Sequence, residues 1–253
     1  MNRLLQIEFI KVKSYRAFWA VLGIYALTFI VVTSTIGVIE SSARVSASAF
    51  FSFPDAWHHL ASVASFLNIL PAILIIMLIS NEYSFRTFRQ NLIDGLSREE
   101  LVYSKFILIG AIALLCIAFI FVYGFTRGLI AGHFDELGEM VEKISFLFRL
   151  FVQMAGYMSL AALFTFILKR SAISILVFLV YVGFELSVRQ FMPIGEIRRF
   201  FPVSIFSALI PAPGDISLVA AASLSPDLIL ALSVLYISAC IGACYVLINK
   251  SNL

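Results

Sequence analysis

The sequence predicts an all-α membrane protein with six transmembrane helices, and three observations predict it. Of its 253 residues 61% are hydrophobic and 13% charged, with a mean hydropathy of +1.01; a soluble domain carries about 25% charged residues and has no interior for so much apolar surface. The charges are gathered between long charge-poor runs, each near the roughly 20 residues a helix needs to cross the hydrocarbon core. Lysine and arginine are also shared unequally between the two ends of those runs. A net charge of +3 gives no bulk electrostatic argument for a nucleic-acid partner.

The runs place spans at about 17–39, 57–80, 104–131, 147–168, 171–192 and 227–249, in a single permease-like domain over 1–253. Six spans put both termini on one side. Of the 18 basic residues, eleven fall on that side, among them Arg3, Lys11, Lys13, Arg86, Arg89, Arg98 and Lys105, and seven on the other. The positive-inside rule then sets both termini and the 81–105 loop in the cytoplasm. The opposite loops are acidic by comparison, as at Asp135, Glu136, Glu139 and Glu142.

Residues 1–16 mix Leu4, Leu5, Ile7 and Phe9 with Arg3, Lys11 and Lys13, a composition suited to an anionic headgroup surface. The Ser-Ala-Ser-Ala at 46–49 has cleavage-site chemistry. The apolar run before it is longer than the roughly 7–15 residues of a signal-peptide core, so an uncleaved first span is expected.

On the second span His58, Ser62, Ser65 and Ala72 share a helix face, with Asn68 near its edge. Such a stripe in hydrocarbon either packs on a neighbouring helix or lines a path. Ser62, Ser65 and Asn68 are therefore candidate path residues. His58 and His59 point about 100° apart on a helix, and no metal site is expected with Asp55. Gly124, Gly128 and Gly132 form a ridge at the end of the third span that permits close helix packing, within the subunit or between subunits. Cys116, Cys240 and Cys244 lie in apolar runs and read as packing.

Glu185 is the carboxylate well inside a span, followed at i+4 by Arg189. A local ion pair is one reading; a place on the substrate path or a subunit seam is the other. In the last outer connection, residues 200–214 are apolar but interrupted by Pro202, Pro211 and Pro213. That stretch is too short to cross. A re-entrant-like piece packed on protein is expected, because unpaired backbone cannot face lipid.

The 81–105 loop is the long polar segment between two spans. Phe85, Phe88 and Leu92 fall within one narrow stripe of a first short helix. Gly95 is placed to take the left-handed conformation that ends it. Ser97 with Glu100 has capping-box spacing, and Leu96 with Leu101 that of a hydrophobic staple. The box also accounts for the Glu99-Glu100 pair without a metal site. A rigid helix–turn–helix elbow is expected.

Glu82 just after the second span, the run Thr87-Phe88-Arg89-Gln90-Asn91-Leu92-Ile93-Asp94-Gly95-Leu96-Ser97-Arg98, and Lys105 opening the third resemble the cytoplasmic coupling loop of ABC-2-type permeases, the six-span membrane subunits of type V ABC exporters. The resemblance implies a dimer of permease subunits, alike or related, on two separate ATP-binding-cassette ATPase subunits in a bacterial inner (plasma) membrane. Tyr83 and its neighbours to Ile93 would dock in an ATPase groove. Phe85, Phe88 and Leu92 would be its apolar anchor, Arg89 a polar rim, and Glu82 and Arg86 polar contacts at the joint. The chain has no G-x-x-x-x-G-K-[ST] motif, so no cofactor is expected here, and ATP and Mg belong on the partner. The competing class is a stand-alone ion-coupled carrier, or a membrane anchor for another complex.

Overall fold

The computed structural model describes residues 11–42, 51, 53–85, 87–130, 138, 143–191, 200–211 and 224–250, with side chains outside the description at 37–42 and 189–191. Gly132 and Arg86 lie outside the described residues. The elements are helices: α1 (Arg16–Ser42), α2 (Ala56–Phe66), α3 (Ile69–Ser84), α4 (Thr87–Ile93), α5 (Arg98–Ile130), α6 (Ser145–Leu168), α7 (Ser171–Phe191), α8 (Pro202–Ala208) and α9 (Pro226–Lys250). Five of them, α1, α5, α6, α7 and α9, are long and apolar enough to cross a membrane, and α2 with α3 makes a sixth if that bent pair is one span.

That second span is not the continuous helix expected over 57–80. It bends by 47° between α2 and α3. Pro71 explains the break: it has no N–H to give to the Leu67 carbonyl, and its ring crowds that same carbonyl. The Leu67 carbonyl instead accepts from Leu70 N–H at 3.0 Å, and Leu67 N–H turns back to Ala64 O at 3.0 Å. Tight i−3 bonds thus replace one turn of α-helix.

Helix α6 is the centre of the molecule. Of its apolar window 72% is buried, against 22–33% in the other four long helices. It packs against α2, α3, α5, α7, α8 and α9. Gly156, Ala161 and Ala162 let those neighbours approach; without a solvent-driven hydrophobic force inside lipid, such close packing is what holds helices together. The glycine ridge of α5 is used within the subunit. A Cβ on Gly124 would stand 2.7 Å from Leu60, and one on Gly128 would meet the Phe53 ring. Trp57 fills the same seam and stacks on Phe121 with ring centroids 5.5 Å apart.

Helix α5 contains 33 residues. At 1.5 Å per residue it is about 50 Å long, more than the roughly 30 Å hydrocarbon thickness. The second helix expected inside the loop is thus the start of the third span itself, continuous from Arg98.

The proline-broken stretch forms α8, with Pro at its first helical position and Val203, Ser204, Ile205 and Phe206 buried. It packs on α6, α7 and α9. The Phe206 ring lies on Gly156, where a side chain would collide with it. Ser207 and Tyr157 hydroxyls are 3.1 Å apart, and Tyr236 Oη donates to Phe200 O at 2.5 Å.

Candidate functional site

The elbow is built by the end of α3, all of α4 and the start of α5. Phe85 closes α3, its N–H donating to Asn81 O at 2.9 Å, and Thr87 Oγ1 donates to Glu82 O at 3.2 Å across the break. The break shifts the helical phase between residues 84 and 87. Phe85 and Phe88 therefore do not share the stripe that an unbroken helix would give them. Phe88 is 1% exposed whereas Phe85 is 76% exposed. Phe88 lies 4.5 Å from the Tyr83 ring and 6.1 Å from Phe166, centroid to centroid. Leu92 packs inward beside it. The expected three-residue anchor is thus divided: Phe88 and Leu92 are spent inside the chain, because burying an aromatic against α6 outweighs leaving it out. Facing outward are Phe85, Arg89 and Ile93, the last 78% exposed, with polar Ser84, Gln90 and Asp94 exposed alongside.

The turn after α4 is a complete Schellman motif. Gly95 has φ +92°, its N–H donates to Leu92 O at 3.2 Å, and Leu96 N–H donates to Asn91 O at 3.0 Å. The capping box follows: Ser97 N–H donates to Glu100 Oε2 at 2.8 Å, and Glu100 N–H to Ser97 Oγ at 3.2 Å. Both devices satisfy backbone groups that helix ends leave open.

Side chains then fasten the elbow to distant helices. Glu82 Oε1 accepts from Lys105 Nζ at 2.6 Å and from Lys11 Nζ at 3.2 Å, and Lys105 is 1% exposed. Lys105 Nζ also stands 5.7 Å from the Phe88 ring centre. Asn81 Nδ2 donates to Tyr15 Oη at 2.8 Å. Arg98 donates to the carbonyls of Ile248 at 3.2 Å and Asn249 at 2.7 Å, at the open C-terminal end of α9 where a cation also suits the helix dipole. Tyr245 Oη of α9 donates to Glu99 Oε1 at 2.9 Å. The elbow is one body with the N-terminal segment, α5, α6 and α9.

Of the polar residues on the second span, Ser62 and Asn68 are buried, and Ser65 Oγ accepts from Gln153 Nε2 of α6 at 2.8 Å. Glu185 is 2% exposed and its Oε1 accepts the N–H of Ser204 at 2.7 Å, tying α7 to the first turn of α8. The Arg189 side chain of the expected pair lies outside the described residues. At the other end, His58 Nε2 lies 2.7 Å from Pro211 O, and Lys143 Nζ bonds Asp55 Oδ1 at 2.5 Å. That bond holds the Asp55 carboxyl below its ordinary range.

Sequence reasoning missed Gln153, the pairing of Glu82 with Lys105, and the clasp of Arg98 on α9. Lys105 carried a signal, a lone cation at the threshold of a long apolar run; Gln153 and Arg98 find partners 88 and 150 residues away, which no local spacing reveals.

A search among curated proteins found no match. The family model described as "ABC-2 family transporter protein" matches residues 4–185, a stretch that covers α1 to α6, the elbow and most of α7. With helices long and apolar enough to cross a membrane and a match over well over half its length, the chain belongs to the ABC-2 family of transporter proteins and is a multi-pass membrane component of that kind.

Proposed function

We propose that the chain is the permease subunit of an ATP-driven exporter, forming the substrate path as a dimer with a copy or relative of itself. The partners that supply energy are separate ATP-binding-cassette subunits, which bind ATP and Mg. The elbow is the coupling element and lies in the cytoplasm of a bacterial plasma membrane. The observation that carries this reading is the elbow's construction. It is braced by Glu82–Lys105 and by Arg98 on α9, yet turns apolar Phe85 and Ile93 outward beside Arg89. A stiff body with an apolar contact and a basic rim suits a groove in a partner that moves.

Closure of the ATPases on nucleotide would push this body, and its fastenings would carry the displacement to α5, α6 and α9. Co-purification tests the reading. Tagged protein should bring down an ATPase subunit, and Phe85→Asp with Ile93→Asp should abolish that while the permease remains in the membrane. Undiminished association in the double variant would remove the elbow from the interface. Transport in vesicles driven by a pH gradient without ATP would favour the ion-coupled carrier instead.

A further inference from the structure

The middle of the second crossing holds polar atoms the protein does not satisfy. At the break made by Pro71, Asn68 is 1% exposed, and neither its Nδ2 nor its Oδ1 has a hydrogen-bond partner. One turn earlier Ser65 accepts from Gln153 Nε2 at 2.8 Å, which brings Gln153 of α6 against the same face. Gln153 is 0% exposed, and its Oε1 also has no partner. Buried polar side chains are nearly always paired, and unpaired ones call for a role.

Their chemistry limits what they could bind. A carboxamide presents a donor and an acceptor side by side, an edge that matches another amide. Between residue 56 and Glu82, and on α6 beyond Arg149, the sequence has no Asp, Glu, Lys or Arg. The buried carboxylate of the neighbouring α7, Glu185, is committed to α8 through the Ser204 N–H, so an uncharged ligand is the better match at this depth. We propose that the break between α2 and α3 is a binding site for an uncharged amide, the Asn68 carboxamide pairing with it edge to edge and Gln153 Oε1 accepting a further N–H. The site is closed in this conformation, and a change in the bend at Leu67–Asn68 uncovers it. The substrate class is then a neutral, apolar molecule with peptide-type amide groups. This rests on the reading of the interior as a substrate path, but it does not involve the elbow, so permease–ATPase association is unaffected by its failure.

The test uses the full chain in lipid nanodiscs, with radiolabelled N-acetyl-leucyl-leucinamide as the probe and sodium ion as the charged control. Gln153→Met should weaken probe binding about tenfold, the value of one hydrogen bond, and Asn68→Leu should weaken it further, because both bonds of the amide edge are lost. Asn68→Leu should also raise the ligand-free Tm, because it removes an unmet polar group and breaks no bond. Asn68→Ala, which adds no bulk, gives the same two readouts. Unchanged probe affinity in both variants would overturn the site. A lower ligand-free Tm in Asn68→Leu and Asn68→Ala alike would show the amide already satisfied at rest, by water, and would overturn it too. Sodium binding that disappears in Asn68→Leu would overturn the assignment to a neutral ligand.

Discussion

Glu82 lies at the meeting point of the N-terminal segment, α3 and α5, with Lys11 and Lys105 both on one carboxylate oxygen. A buried ion pair is a poor source of net stability, but removing one partner leaves a charge stranded. Lys105→Met should therefore cost stability, but less than the roughly 3–5 kcal/mol of a fully stranded charge, because Lys11 stays on Glu82. Glu82→Gln added to it should restore a large part of that loss, since a neutral amide no longer demands the cation. Thermal unfolding of the two single variants and the double variant checks this; additive losses would mean the two groups do not interact. The Asp55–Lys143 tie behaves differently because both side chains are more than a third exposed. Hydrogen bonding from Lys143 lowers the Asp55 pKa in the folded state from 3.8. Its contribution is thus present above pH 3.8 and lost as the pH falls through the lower folded value. After solvent screening it is worth under about 1 kcal/mol. The stability difference between the parent and Asp55→Asn should be small at pH 7 and vanish below that window.

At the scale of elements, the elbow depends on how each helix stops and starts. Gly95→Ala puts a Cβ on a residue at φ +92° and should cost about 1–2 kcal/mol through strain alone. Arg98→Ala should instead loosen the last turn of α9, read as faster amide exchange at Ile248 and Asn249 with little change elsewhere. The Schellman turn and the capping box were legible from the sequence because the partners lie within five residues along the chain, close enough for spacing to determine contact. The break at Leu67–Asn68 was legible in principle from Pro71, yet the uninterrupted apolar run concealed it, since span length is read from hydropathy and not from backbone bonding. The stripe of Phe85, Phe88 and Leu92 failed for a related reason: the wheel assumes one continuous helix, whereas one helix ends at Ser84 and the next begins at Thr87, with Phe88 turned inward. That Gly124 and Gly128 could pack closely was readable from spacing, whereas what they meet, Trp57 and Leu60 of α2 for Gly124 and Phe53 for Gly128, depended on the fold.

For the whole molecule, the arrangement is a central α6 wrapped by helices whose outer faces stay apolar, with Leu27 65%, Leu176 61% and Leu235 61% exposed. Such surfaces are a liability in water and the expected boundary in lipid. The five long apolar helices were legible because crossing hydrocarbon imposes length and charge exclusion on the sequence itself. That α6 is the hub was not, because a helix apolar all round reads alike whether lipid or protein surrounds it. The braced elbow is the part of this body that we propose meets an ATPase. The direct measurement is in-cell photo-crosslinking from a photoreactive residue placed at position 93. Docking predicts a nucleotide-sensitive adduct with a chain that carries a phosphate-binding loop, absent when Phe85→Asp is added. Adducts to lipid alone, unchanged by nucleotide, would contradict it.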